Sequence, residues 1–244
     1  MKKLLLVFFL VFTLIVKAQN EGKSAFSVNA DVVNTYVWRG SYLAGTSVQP
    51  SMDFRNGGFS LGAWGSVDIA GFGYKEVDLF ASYSFKKLTV SLFDYWVAGE
   101  MSYNYFDFSK KTIHLLDVGL TYTFDRIPLS IGWYTIIWGD ETFTKQWENG
   151  ASKKAFPTYI EVTRFFQVKE INLEATIGIS PWHSSAMYNR YNEGGRTDGF
   201  AVINLSLKAS KNLKITDHYS LPVFSQLIYN PAKEDSFLVF GIKF

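Results

Sequence analysis

The sequence predicts an all-β protein that folds as a transmembrane antiparallel up-and-down β-barrel of about 12 strands. Three observations lead to this fold class. Apolar and polar residues alternate along most of the chain, the connections between the predicted strands are alternately short and long, and 18% of the residues are aromatic. Alternation with a period of two indicates strands with two different faces, as in the wall of a membrane barrel.

The N-terminus has the pattern of a cleaved secretory signal. Two lysines precede a 13-residue apolar run, Leu4 to Val16, and the small residue Ala18 closes the segment. A helix that spans a bilayer needs about 20 apolar residues, so a retained anchor is the weaker interpretation. We therefore predict a signal peptide over 1–18 and one outer-membrane β-barrel domain over 19–244.

Composition narrows the remaining classes. The chain has no cysteine, which excludes a disulfide framework and a lipid attached to a cysteine at the cleavage site. The formal charge of +2 includes the lysines of the signal, so the mature chain has no basic excess that indicates nucleic acid as a partner. No glycine-rich phosphate loop and no metal-ligand spacing is present, so we expect no cofactor and no metal.

Twelve segments of the chain carry the alternating pattern. One example runs through Val77, Leu79 and Ala81 on one face, against Asp78 and its polar neighbours on the other. The predicted strands are 26–39, 46–55, 58–68, 75–85, 88–97, 112–124, 129–138, 157–166, 171–180, 198–215, 220–229 and 236–244. The phase breaks near Phe93-Asp94, which predicts a bulge that turns Asp94 inward. The faces of 220–229 stay unassigned.

The connections alternate in length along the chain. Even-to-odd connections such as Asn56-Gly57 and Lys86-Lys87 are short, whereas 98–111, 139–156 and 181–197 are long. Outer-membrane barrels have short periplasmic turns and longer extracellular loops. The pattern therefore predicts the cell outer membrane of a Gram-negative bacterium as the location. An even number of strands then places both termini in the periplasm.

Aromatic residues indicate contacts with the membrane and with the assembly apparatus. The last strand ends on Phe244, which predicts recognition by the outer-membrane barrel-assembly machinery. Other rings fall where strands cross lipid and lipopolysaccharide headgroups, and they predict aromatic belts: Tyr36, Trp38, Tyr95, Trp96, Trp133, Tyr134, Trp138, Tyr159 and Tyr229.

The polar faces of the strands predict a charged lumen. The acidic candidates are Asp31, Asp53, Asp68, Glu76, Asp78, Asp117, Glu161 and Glu174, and the basic ones are Arg39, Arg55, Lys208 and Lys243. Charges inside a barrel commonly pair across the lumen, and pairing alone is a sufficient explanation for them. The acidic excess predicts a weak preference for cations.

Two stretches carry a family resemblance. Tyr36-Val37-Trp38-Arg39-Gly40 with Ser47-Val48-Gln49-Pro50-Ser51, and Asp217-His218-Tyr219-Ser220-Leu221-Pro222-Val223-Phe224 with Tyr229-Asn230-Pro231, resemble the start and the end of the TorF-like outer-membrane porins. The resemblance implies a barrel and porin activity. It implies no substrate and no site residue.

Catalytic chemistry has little support in the sequence. His183-Ser184-Ser185 and His218-Tyr219-Ser220 each place a serine two residues after a histidine, as in some barrel-embedded lipid hydrolases. The two pairs fall on opposite rims of the predicted barrel, so they do not form one site. We expect structural polar residues and no enzyme.

The predicted function is a narrow porin-like channel for passive diffusion of small hydrophilic solutes. A barrel of 12 strands lies between the filled interior of eight strands and the open channel of sixteen. The alternative is a non-conducting structural or surface-binding barrel. Its binding residues would be the loop aromatics Tyr103, Tyr105, Phe106, Phe108, Trp182, Tyr188 and Tyr191, although these rings fit equally well as packing over the barrel mouth.

Overall fold

The structure of the chain is a computed structural model. It describes residues 24–71, 73–98, 104–108, 114–139, 144–146, 152–154, 156–182, 188 and 199–244. The predicted signal peptide and cleavage site lie outside these residues, as do His183, Tyr103 and Tyr191. Within the described part of the chain, no helix is long and apolar enough to span a membrane.

Twelve strands form one closed antiparallel barrel, which confirms the predicted fold class. In the order of the wall they are β1 (Ala25–Val33), β4 (Ser47–Asn56), β5 (Phe59–Asp68), β6 (Lys75–Phe85), β7 (Leu88–Ala98), β8 (His114–Thr123), β9 (Leu129–Trp138), β12 (Thr158–Val168), β13 (Ile171–Ser180), β14 (Ala201–Lys214), β15 (Ser220–Asn230) and β16 (Asp235–Lys243). Two small hairpins are not part of the wall: β2 (Tyr36–Trp38) with β3 (Ser41–Ala44), and β10 (Thr144–Gln146) with β11 (Ser152–Lys154).

The strand connections divide between two rims. The short-turn rim carries the connections 57–58, 86–87, 124–128, 169–170 and 215–219, and β1 begins and β16 ends there. The long-loop rim carries 34–46, 69–74, 99–113, 139–157, 181–200 and 231–234. The alternation that the sequence predicted holds except at 231–234, whose four residues are fewer than the five of 124–128 and of 215–219.

The first predicted strand, 26–39, is wrong in its second half. β1 ends at Val33, and Tyr36 to Trp38 belongs to the inner hairpin β2–β3. At Asn34 the backbone N–H still donates to the Phe240 carbonyl at 3.1 Å, but the Asn34 side chain replaces the backbone carbonyl as the acceptor of the return bond. Its Oδ1 accepts from the backbone N–H of Phe240 at 2.6 Å, and its Nδ2 donates to the carbonyl of Leu238 at 3.1 Å.

The barrel closes at the seam between β1 and β16. Only three residue pairs align across this seam, starting with Asp31 opposite Lys243, whereas nine align between β1 and β4. Backbone bonds in both directions between Ala30 and Phe244, of 3.1 and 2.9 Å, extend the seam towards the short-turn rim. The seam is therefore the shortest ladder in the wall.

The outer wall is apolar. Leu79 and Leu120 point outward at mid-strand and are 43% and 45% exposed, and long apolar or aromatic side chains hold the same face on the other barrel strands. So much contiguous apolar surface is stable only against an apolar surrounding. The outer wall therefore fits the hydrocarbon region of a bilayer.

The predicted bulge at Asp94 is wrong. β7 pairs in regular register with both neighbours, and Asp94 lies opposite Leu79 on one side and Leu116 on the other. Directly opposed residues of an antiparallel sheet share a face, so Asp94 lies on the outer face. The phase break has another cause, because Phe93 and Tyr95 place large rings on the inner face instead of polar groups.

Candidate functional site: the lumen and its constriction

The residues that the sequence assigned to the lumen lie along the inner wall. The eight acidic residues occupy strand positions that alternate with the outward apolar residues: Asp31, Asp53, Asp68, Glu76, Asp78, Asp117, Glu161 and Glu174. Arg39 differs from them in position, because it lies at the tip of hairpin β2–β3 inside the barrel.

Each of the four inner basic residues pairs with one of these acids. The N–O distances are 2.8 Å for Arg39 with Asp117, 3.3 Å for Arg55 with Asp53, 3.9 Å for Lys208 with Glu174, and 3.2 Å for Lys243 with Asp31. These pairs leave out Asp68, Glu76, Asp78 and Glu161. The four acids that remain are all in the half of the barrel near the long-loop rim.

Hairpin β2–β3 narrows this half of the lumen. Its two-residue turn is Arg39-Gly40, with φ angles of 48° and 79°, and positive φ at both positions is what a tight hairpin turn with the right twist requires. The tip touches the wall, since a Cβ on Gly40 would lie 1.9 Å from the carbonyl oxygen of Ile203. Asn230 holds it there by donating from Nδ2 to the Gly40 carbonyl at 2.9 Å.

Arg39 is the central side chain of the constriction. Besides Asp117, its guanidinium donates to the Tyr188 hydroxyl at 3.0 Å. Its Cζ lies 4.4 Å from the ring centre of Trp38, 4.7 Å from that of Tyr134 and 5.0 Å from that of Tyr159. Ring faces attract a cation at these distances, so Arg39 is held by one ion pair and by three aromatic rings.

Glycines on the inner wall make room for these rings. A Cβ on Gly178 would lie 2.2 Å from the hydroxyl oxygen of Tyr159, and one on Gly119 would lie 2.8 Å from the ring of Tyr134. Asn204 then fixes Tyr159 by donating to its hydroxyl at 2.9 Å. The rings can therefore lie against the wall without displacing the neighbouring strands.

A cavity of about 500 Å³ lies beside the hairpin tip. Eight of its eleven lining residues are aromatic and three are charged: Tyr36, Trp38, Arg39, Trp64, Asp78, Phe80, Phe93, Tyr95, Tyr134, Tyr159 and Glu161. The lumen is thus lined at its narrow part by ring faces with carboxylates between them.

The predicted aromatic belt is partly wrong. Trp133 and Tyr229 are exposed on the outer face. Five of the other rings line the cavity instead: Tyr36, Trp38, Tyr95, Tyr134 and Tyr159. They face inward because the hairpin brings a second layer of rings and a guanidinium against which they pack. Trp96 is buried, and Trp138 packs 6.3 Å from the Phe108 ring.

A second cluster lies on the outer wall near the long-loop rim. Asp94 accepts from the Tyr105 hydroxyl at 2.8 Å and lies 2.8 Å from Nδ1 of His114, whose ring stacks on Phe108. Burial and the Asp94 carboxylate raise the pKa of Tyr105 well above its ordinary value, so the hydroxyl keeps its proton and donates. The segment 104–108 is thereby fastened to the outside of the barrel, with Phe106 81% exposed.

Two further loop residues hold the constriction, and the sequence did not single them out for this. Tyr188 is buried against Arg39, so this loop ring packs inside the mouth. Lys233 donates to Ser41 of the hairpin at 3.2 Å, and burial lowers the pKa of this lysine. Asn230, which bonds to the hairpin tip, belongs to the Tyr229-Asn230-Pro231 motif. That motif is the one feature of the sequence that pointed to this residue.

The described residues contain no assembled metal site. No group of three or more histidine, cysteine or acidic residues there is able to hold a metal ion. His218 lies in an exposed turn at the short-turn rim, where its backbone N–H donates to Thr216. The His183-Ser184-Ser185 pattern lies outside the described part.

The comparisons with known proteins find solved structures of weakly similar shape. No protein-family model matches the sequence, and no curated protein sequence matches it. Among solved structures, the NanC porin has 10% identity and a TM-score of 0.44, covering 89% of this chain and 98% of that one. A structure from a study of in-meso crystallisation of membrane proteins has 10% identity and a TM-score of 0.41, covering 89% and 82%.

A third similar structure is described as a bacterial polysaccharide outer membrane secretin. It has 8% identity and a TM-score of 0.37, covering 93% of this chain and 99% of that one. Scores this low carry no argument about function, and the TorF-like resemblance is not confirmed by them. The class of the protein follows from its own structure, a closed barrel of 12 strands with an apolar outer wall and a charged inner wall. It is a β-barrel membrane protein.

Proposed function

We propose that the chain is a narrow porin-like channel in the outer membrane of a Gram-negative bacterium, through which small hydrophilic solutes diffuse passively. The observation that carries the proposal is the charged inner wall of a closed barrel whose outer wall is apolar. Each charge along a barrel interior has to be paired or hydrated, and the acids outside the four ion pairs fit a lumen that contains water.

The four inner acids outside the ion pairs support a weak preference for cations. All four lie in the half of the barrel near the long-loop rim. Asp78 and Glu161 line the cavity at the narrow part of the lumen, and Asp68 and Glu76 lie closer to the rim. Fixed charges in a narrow, low-dielectric passage bias the passing ions more than the same charges in water. The proposed selectivity therefore originates at the constriction rather than along the whole lumen.

Orientation and partners belong to the same proposal. The short-turn rim carries both ends of the barrel wall and would face the periplasm, and the long-loop rim would face lipopolysaccharide. The aromatic end of β16, at Phe244, is exposed and pairs through its backbone with Ala30. We propose this strand end as the segment that the barrel-assembly machinery recognises.

A non-conducting structural or surface-binding barrel is the second candidate. The fastening of the hairpin tip favours it, because Arg39, Gly40 and Ser41 are each bonded to a different part of the wall or loops. The exposed ring of Phe106, on a segment fastened to the outer wall, is a further point of contact for a partner.

Conductance of the purified, refolded barrel in a planar lipid bilayer tests the proposal. A channel gives discrete current steps, small for a barrel of this size because the hairpin occupies part of the lumen. A variant in which residues 36–44 are replaced by a short glycine-serine turn should give larger steps. If neither protein gives steps, while both show the heat-modifiable gel mobility of a folded barrel, the second candidate is the better one.

A further inference from the structure

The cavity beside the hairpin tip has the composition of a site for an organic cation. Ring faces of Trp38, Tyr134 and Tyr159 already surround the guanidinium of Arg39 at 4.4 to 5.0 Å. Other rings, such as Trp64 and Tyr95, continue the same wall around the space of about 500 Å³. Aromatic faces attract ammonium groups, and the volume is in the usual range for small-molecule sites.

The side chains around this cavity carry more negative than positive charge, because Asp117 already neutralises Arg39. The Asp117 carboxylate lies 2.8 Å from the Arg39 guanidinium, so this pair is neutral as a unit. Asp78 and Glu161 also line the cavity and belong to none of the four inner ion pairs. A positively charged ligand would compensate them.

Asp78 gives an independent sign of a missing partner. Its side chain is on the cavity wall, the residue is only 7% exposed, and its Oδ1 accepts no hydrogen bond from the described residues. A buried acceptor without a donor costs free energy. An N–H of a ligand in the cavity would supply that donor.

A hard metal ion fits less well than an ammonium group. Calcium and magnesium ions take six or more oxygen ligands, from carboxylates, carbonyls and water. The cavity lining offers mostly ring carbons, and no cluster of three metal-ligating side chains exists among the described residues. The rings suit the apolar body of an organic molecule instead.

We propose that this cavity binds organic ammonium ions that have an N–H donor and an aromatic or apolar body. The ammonium group donates to Asp78 and faces Glu161, and the body lies between the rings of the constriction. The inference rests on the proposed function, since it names the class of solute for which the constriction is built. The narrow part of the lumen would then bind the solute, in addition to limiting solutes by size.

Isothermal titration calorimetry on the full refolded chain in an uncharged maltoside detergent tests the site. The probe is 2-phenylethylamine, protonated at pH 7.5, and the matched neutral ligand is 2-phenylethanol, which keeps the ring and a donor but has no charge. We expect the amine to bind at least about tenfold more tightly than the alcohol, a difference equivalent to about 1.4 kcal/mol. Asp78→Asn and Glu161→Gln should each remove most of this preference.

Asp53→Asn is the control, since it removes an inner-wall carboxylate outside the cavity that already pairs with Arg55. It should leave the affinity for the amine unchanged. Equal affinities for the amine and the alcohol, or an equal loss in the Asp53 and Asp78 variants, would overturn the inference. Binding needs no conduction, so a barrel that binds the amine without conducting contradicts the channel alone, and one that conducts without binding contradicts the site alone.

Discussion

Arg39 Nη2 lies 2.8 Å from Asp117 Oδ2 inside the barrel, and the two side chains are 8% and 0% exposed. One partner is at the tip of a hairpin and the other is on the wall strand β8. The pair therefore joins the constriction to the barrel. A charge buried this completely depends on its partner, because removal of either one leaves the other unpaired in a low-dielectric surrounding.

Replacement of Arg39 alone should be more damaging than replacement of the whole pair. We expect Arg39→Met to lower the free energy of unfolding by about 3–5 kcal/mol, and the double variant Arg39→Met/Asp117→Leu to recover much of that loss. Urea unfolding in lipid vesicles, followed by tryptophan fluorescence, measures both. The control is Arg55→Met, because Arg55 is 67% exposed in its pair with Asp53, and a loss of less than about 1 kcal/mol is expected there. Similar losses at Arg39 and Arg55 would contradict the buried pair.

The hairpin tip should not accept a side chain at Gly40. Gly40→Ala places a Cβ against the Ile203 carbonyl in addition to the strain of a positive φ. The tip must then leave the wall, so we expect lower stability and larger current steps. Gly57→Ala has a positive φ of 58° but open space around the Cβ, so it isolates the strain, which is about 1 kcal/mol. The same behaviour in both variants would show that the close approach at Gly40 has no role.

Lipid exposure of the outer wall predicts opposite tolerances at adjacent positions. Leu120→Arg should cost about 2–4 kcal/mol if Leu120 lies near the bilayer midplane, and Leu79→Arg should behave alike. Thr121 is next in the chain but inward, with its hydroxyl 3.1 Å from that of Tyr134. Thr121→Ser keeps that hydroxyl and should change little. A refolding titration into vesicles compares them, and equal sensitivity on both faces would mean that the wall is not in lipid.

The seam should depend on one side chain. Asn34→Ala removes two hydrogen bonds to β16 in a ladder of only three aligned pairs. At about 1 kcal/mol for each bond, we expect a loss of roughly 2 kcal/mol in unfolding free energy. Asn56→Ala, at a short turn, is the control. A loss at Asn34 no greater than that at Asn56 would indicate that the seam closes without this side chain.

Most of the barrel could be predicted because one physical rule repeats in every wall strand. A side chain that points to lipid must be apolar, and its neighbours then point to the lumen. The rule places Leu79 and Asp78 on the correct faces without any knowledge of the contacts. It fails at Tyr36 and Trp38, because a hairpin folded into the lumen alternates in the same way as a wall strand.

The constriction could not be predicted because its contacts join distant parts of the chain. The Arg39 contacts to Asp117 and Tyr188 span 78 and 149 positions, and no local pattern reports such a pairing. Asp94 shows the related failure of a local rule. The outward position of this carboxylate suggested a bulge that would turn it inward. In the structure it stays on the outer face, where His114 and Tyr105 form hydrogen bonds with it.

The central claim is a narrow channel in which four inner acids, outside the ion pairs of the described residues, favour cations. The reversal potential across a planar bilayer under a potassium chloride gradient tests it most directly. We predict a potential of the sign that indicates cation selectivity, which falls in the double variant Asp78→Asn/Glu161→Gln and falls in the wild type at high salt, since screening shortens the reach of fixed charges. The double variant should still conduct. A wild-type potential of the anion-selective sign, or a potential that the double variant leaves unchanged, would contradict the account.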